Sequence, residues 1–342
     1  MNNMIIFKIC VTTLSLLLVL TGCKAEDPSE TTSEVKSEVV ETAPLTSASQ
    51  AIVFGSAITA DGGANIDGNT VTITESGSYN ISGTGTNQNL VIDDENLEVE
   101  LTLDNLSLTN ETAPIQIINA KSLTINLVGE SNLADGASNS ELQAPIYIDE
   151  VPTIIDGDGT LNLTGNCAEG FESNNDLTIN GGTINITAAD DGINVGDLLV
   201  INGGNINIDS NGDGLDSNGS LEINGGTIFV SGGNNGNGPI DFAEEEGETF
   251  KLTGGTLIAV GGNMGVSTTE ETQTSRSGNG NGTTIVVGDL EYTAPKQFSY
   301  YFVSTPTLTT DTTITVDGSQ TTDTTGQASG MGGPGGSMER PL

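Results

Sequence analysis

The chain has 342 residues, 46 acidic and 8 basic, with no His and no Trp, for a formal charge of −38. That balance argues against nucleic acid and against direct contact with an anionic membrane surface, since both present phosphates that call for Lys and Arg. The missing His removes a common zinc ligand and the usual activator of a Cys or Ser nucleophile.

The first element is an apolar run from Ile9 to Leu20, preceded by Lys8 and closed by Leu20-Thr21-Gly22-Cys23. It is too short for a transmembrane helix and suits the core of a signal peptide. The closing residues resemble a bacterial lipobox, so residues 1–23 are expected to be a lipoprotein signal peptide with Cys23 as the lipidated residue. Ordinary signal cleavage nearby is the alternative. The expected location is extracytoplasmic, lipid-anchored to a bacterial membrane, with the membrane met through the N-terminal lipid only. Residues 24–50, rich in Ser, Thr, Glu and Ala, read as a flexible tether. With Cys10 removed and Cys23 lipidated, only Cys167 remains, so no intramolecular disulfide forms and Cys167 reads as a packed core residue.

Residues 51–158 hold alternating segments such as Val71–Thr74, Val99–Leu103 and Leu123–Leu127. A stricter repeat follows. Asn180-Gly181-Gly182-Thr183-Ile184-Asn185-Ile186 recurs 22 residues later from Asn202, and 22 residues after that from Asn224, with a looser copy from Thr253. A second short strand precedes each Gly pair, at Leu177–Ile179, Leu199–Ile201 and Leu221–Ile223. Such a unit has no room for a helix and cannot bury its apolar face alone, so neighbouring units must stack. The predicted fold for residues 51–317 is all-β: a single-stranded right-handed parallel β-helix of about 22 residues per rung. Within it, residues 266–284 read as an inserted polar loop and residues 285–317 as a closing cap. Residues 318–342, with Gly330-Met331-Gly332-Gly333-Pro334-Gly335-Gly336, read as a disordered Gly-rich tail.

Aligning the repeats on their Gly pairs exposes two columns. Glu169, Asp191 and Asp213 form one; Glu172, Asn194, Asp216 and Asp241 form the other, with an apolar residue between them in each repeat. Asp190 adds a carboxylate beside the first column. Stacked strands lie about 4.8 Å apart, and two carboxylates at that spacing repel by about 1 kcal/mol in water and about 3–4 kcal/mol at an effective dielectric near 20. Calcium takes oxygen ligands at about 2.3–2.6 Å, so one Ca²⁺ between two repeats can reach both. Glu169, Glu172, Asp190, Asp191, Asp213, Asp216 and Asp241 are therefore the candidate calcium ligands. The competing reading is that Asp, Asn and Gly are simply turn residues.

Taken together, the acidic-Gly-apolar-acidic turns and the Asn-Gly-Gly-Thr-Ile strands resemble a bacterial carbohydrate-binding β-helix family. The resemblance runs over roughly residues 60–317, and Ala294-Pro295-Lys296-Gln297-Phe298 and Ser304-Thr305-Pro306-Thr307-Leu308 resemble that family's closing segment. It implies cellulose or acidic plant-wall polysaccharide as partner and calcium on a polysaccharide-lyase-like framework, at positions such as Asp190, Asp191, Asp213, Asp216 and Asp241. Asn194 departs from the acidic pattern and is expected to weaken one site. The pair Asp190-Asp191 also resembles the paired carboxylates of polygalacturonases, but that family's Gly-His-Gly and Arg-x-Lys motifs are missing. Only Lys121, Lys251, Arg276 and Lys296 lie between residues 51 and 317, which leaves a lyase short of a cationic base. The expectation is a monomeric, non-catalytic carbohydrate binder; a pectin-active enzyme and a ligand-free adhesive stalk are the alternatives. Tyr147 and Phe171 are expected in the core rather than as sugar platforms.

Overall fold

The computed structural model describes residues 49–137, 144–234, 236–263, 265–321 and 323–325. The signal peptide, the Cys23 lipidation site, nearly all of the 24–50 tether and most of the 318–342 tail lie outside the described residues.

The fold is all-β, as the alternation implies. Among the described residues the one helical turn is a 3-10 turn at Glu244–Glu246, and the strands form one sheet of 22 and another of nine. Three parallel ladders organise the repeat region. The first joins Thr153–Gly157, Leu177–Ile179, Leu199–Ile201, Leu221–Ile223 and Phe250–Leu252. The second, called here the amide ladder, joins Glu130–Ala134, Thr160–Gly165, Thr183–Ala188, Asn205–Ser210, Thr227–Ser231 and Thr256–Gly261. The third, the acid ladder, belongs to the nine-stranded sheet and joins Ile146–Ile148, Phe171–Ser173, Ile193–Val195, Leu215–Ser217 and Ile240–Phe242.

Register follows the repeat. Ile184 pairs with Ile206 and Ile206 with Ile228, while Leu199 pairs with Leu177 and Leu221. A strand's side chains alternate faces with period two, so equal spacing puts the repeated Leu and Ile residues on one face and most Asn and Thr residues on the other. The inward residues of all three ladders, among them Leu177, Ile184, Phe171 and Ile193, meet in one continuous core. Outside it, Asn202 donates to Asn180 at 2.9 Å and accepts from Asn224 at 3.0 Å. Asn202→Ala removes both links from an exposed position and is expected to cost about 1 kcal/mol, readable by urea unfolding.

Three expectations need correction. Residues 266–284 are not simply a polar loop: Ser275–Val287 is a long strand, paired antiparallel with Leu290–Ser304. Its Ser, Gly, Asn and Thr residues carry little apolar signal, but backbone N–H and C=O groups can pair whatever the side chains are. Leu290–Ser304 in turn pairs antiparallel with Thr256–Gly261 and packs a second apolar cluster, including Ile258, Phe298 and Val303, against that end. Pairing also continues past residue 317, through Ser319–Gln320 and Asp323–Thr325. Cys167 is half-buried rather than a core residue.

Candidate functional site: two stacked columns of carboxyl groups

The acid ladder brings the second column into register as the spacing requires: Glu172 pairs with Asn194, Asn194 with Asp216, and Asp216 with Asp241. The turn glycines just before these strands hold the first column. Gly170 N–H donates to Asp191 C=O and Gly192 N–H to Asp213 C=O, both at 2.8 Å. Side chains here would not fit. A Cβ on Gly192 would lie 2.3 Å from Ile208 Cγ2 and 2.4 Å from the Gly214 carbonyl oxygen, and Gly170 and Gly214 are equally enclosed. Gly is therefore required at these turns by the close approach of successive backbones.

The carboxylates use this geometry. Asp191 Oδ1 accepts the Asp213 N–H and Asp213 Oδ1 accepts the Gly238 N–H, each at 2.6 Å. Asp190 and Asp191 crowd Gly212, where a Cβ would meet their Oδ1 atoms at 2.4 and 2.2 Å. Glu172 is only 5% exposed and Asp213 9%. Burying so many acids together favours their neutral forms. Burial, reinforced by the neighbouring Glu172 charge, pushes Glu169 up to about 8. Burial, then the charges of Asp191 and Asp241, pushes Asp213 up to about 7 against the opposing Gly238 hydrogen bond. Burial also raises Asp191 and Asp216, and Asp216 is raised further by the charges of Asp191, Asp213 and Asp241.

All seven predicted ligands thus line the two stacked columns. Among the described residues, however, no three of these acids already converge as a metal cage. Glu169 Oε2 is buried with no hydrogen-bond partner. Asn194, which departs from the acidic pattern, donates its Nδ2 to Asp216 Oδ2 at 3.0 Å and reaches Asp191 Oδ2 at 3.4 Å. It bridges the columns with N–H groups where a carboxylate would only add repulsion.

Sequence reasoning missed Asp135. It is buried, accepts the Asn166 N–H at 2.6 Å, and is pushed up to about 6 by burial, with Oδ2 unpartnered. The repeat is irregular around it, so no alignment of repeats points there. Of the two aromatics read as core residues, Phe171 packs in the apolar core at 2% exposed, whereas Tyr147, though only 6% exposed, lies in register with Glu172 at the head of the second column, outside that core.

The cations are engaged elsewhere. Lys251 pairs with Glu222 at 2.8 Å on the first ladder, and that partner raises its pKa further. Lys121 pairs with Glu98 and Lys296 with Asp209. Arg276 is 7% exposed and donates from Nη1 to the carbonyls of Thr309 and Thr312.

Comparison with known proteins gives three findings. The family described as carbohydrate-binding domain-containing protein matches residues 67–329. A carbohydrate-binding domain-containing protein of Acetivibrio thermocellus is 34% identical over 140 residues, covering 36% of this chain and 49% of that protein. The chain thus matches about half the length of that curated relative. A solved polysaccharide lyase-like protein from C. thermocellum, a gadolinium derivative, aligns with a TM-score of 0.51 at 27% identity, over 60% of this chain and 91% of that one.

Proposed function

We propose that this chain, which belongs to the carbohydrate-binding domain-containing protein family, is a non-catalytic glycan binder of the bacterial cell surface whose acidic columns hold calcium. The observation that carries the calcium reading is the stack itself. Buried carboxyl groups pushed up to about 7 and 8, with Glu169 Oε2 unpartnered, form an arrangement that a divalent cation would relieve. The donors are all oxygens, which suits Ca²⁺ and not zinc. Glu169, Glu172, Asp190, Asp191, Asp213, Asp216 and Asp241 would hold it. Bound there, calcium supplies positive charge that lets a strongly acidic surface accept an acidic sugar.

The parallel ladders, the 22-residue register and the polysaccharide lyase-like neighbour support a right-handed parallel β-helix. Lipidation at Cys23 would place this body at the outer face of a membrane. Pectin cleavage is the weaker reading. A base of the Lys or Arg kind must lose its proton, and Lys251 is held protonated by Glu222.

Calcium calorimetry tests the site. Wild-type protein is expected to bind with measurable heat, and Asp213→Asn to bind at least tenfold more weakly. Asn keeps the oxygen that accepts the Gly238 N–H, so the fold is preserved while the charge is lost. Absence of heat in the wild type, or equal affinity in the variant, would reject the assignment.

A further inference from the structure

The outward face of the amide ladder has chemistry unlike that of the acidic columns. Asn185 donates its Nδ2 to Asn162 Oδ1 at 2.8 Å, and Asn207 donates to Asn185 at 2.9 Å. An amide has two N–H donors, so Asn185 and Asn207 each keep one beyond the ladder. Beside them, in register, stand the exposed hydroxyls of Thr164 and Thr187. This is a row of uncharged donors and acceptors repeating at the strand spacing of about 4.8 Å.

The row has a defined end. Phe229 follows Asn207 in register and stacks on Tyr292 with ring centres 4.9 Å apart and planes within 4°. Asp209, the carboxylate that follows Thr187, is neutralised by Lys296 at 2.9 Å. Tyr292 and Lys296 both come from Leu290–Ser304, which therefore closes the face at one side. On the strands from Thr160–Gly165 to Thr227–Ser231 the one outward carboxylate is the paired Asp209, and the strip is bounded on the preceding strand by the exposed Glu130, which accepts from Asn162 Nδ2 at 2.9 Å.

We propose that this face binds an uncharged polysaccharide chain laid across the strands, with its end against the Phe229–Tyr292 pair, independently of calcium. A polymer with hydroxyls at a regular repeat fits a row of amides and hydroxyls at a regular repeat, and a neutral ligand fits a neutral strip on an otherwise acidic molecule. The proposal rests on the carbohydrate-binding reading of the family but uses residues outside the acidic columns.

Affinity gel electrophoresis with two uncharged polymers, hydroxyethylcellulose and neutral xylan, and with polygalacturonate, each in calcium and in chelator, tests it. At least one uncharged polymer is expected to retard the full chain equally in calcium and chelator. The double change Thr164→Glu and Thr187→Glu, at two exposed positions, should cut that retardation at least tenfold and leave the melting temperature and the polygalacturonate behaviour unchanged. Phe229→Ala should weaken it several-fold. Equal retardation of wild type and the double variant would overturn the proposal. So would retardation by polygalacturonate alone, which sinks this face but leaves the acidic columns standing, whereas no retardation by any polymer sinks both. If sedimentation showed that the double change instead splits a dimer, the face would be a contact between copies and the proposal would fail.

Discussion

In the absence of calcium the protein is expected to melt about 10 °C lower at pH 8 than at pH 5, and calcium at pH 8 is expected to restore more than half of that loss. The sign follows from the raised carboxyls. Glu169 titrates at about 8 and Asp213 at about 7 in the folded chain, above their unfolded values. Between those limits the folded state binds more protons than the unfolded one. The full stability is therefore present below the unfolded value and is lost as pH rises through the folded value. Every tenfold gain in proton affinity on folding corresponds to about 1.4 kcal/mol. Two carboxyls that each gain several powers of ten can thus remove about 5 kcal/mol after solvent relaxation, a large part of ordinary domain stability. Cation binding to the folded columns opposes this by mass action. Sodium chloride at matched ionic strength separates binding from simple screening of the overall charge. Calorimetric scans with equal midpoints at pH 5 and pH 8 in chelator, or equal rescue by sodium, would contradict the account. Asp213→Asn should flatten the pH dependence in chelator, because one of the raised carboxyls is gone and its charge no longer acts on Asp216.

Gly192→Ala is expected to cost about 3–5 kcal/mol and to abolish calcium binding. The added methyl group would sit 2.4 Å from the Gly214 carbonyl oxygen and 2.3 Å from Ile208 Cγ2. Side-chain rotation can move Ile208, but the Gly214 oxygen is backbone held in the ladder and must shift with its whole segment. That shift would carry Asp191 and Asp213 out of line, since each is fixed by a hydrogen bond to the next segment. Gly55→Ala is the control. Its nearest neighbour would be the Ala57 carbonyl oxygen at 3.6 Å, an ordinary contact. Chemical denaturation of the two variants should differ by several kcal/mol; equal midpoints would mean that the turns do not set the column geometry.

What could be read from sequence was whatever repeats at a fixed interval. Equal spacing of Ile184, Ile206 and Ile228 becomes register, and register lines up Glu172, Asn194, Asp216 and Asp241. Contacts between unlike segments left no such trace. Phe229 and Tyr292 are far apart in the chain and meet because Leu290–Ser304 runs back across the last parallel strands. Lys296 and Asp209 meet for the same reason. Asp135 was invisible because the spacing around it is irregular. Asn194 was read as a missing charge because a letter in a column shows its charge and not the direction of its N–H groups. The Ser275–Val287 strand escaped because it is held by backbone pairing, with little of the apolar alternation that betrays a half-buried strand.

The antiparallel strand laid along Thr256–Gly261 has one more effect. A parallel ladder can in principle grow without limit, each new segment templating the next, and an uncovered last strand would invite a second molecule to continue it into a fibre. At the other end Thr59–Ala60 runs antiparallel along Gln50–Phe54, and Ala64–Asp67 along Thr70–Ile73. Strands of reversed direction thus stand at the start of both sheets and at the end of the amide ladder, while the first ladder ends on the short parallel strand Glu270–Glu271. Where these reversed strands lie, the self-propagating pattern stops, and a second copy is offered no parallel edge there to extend.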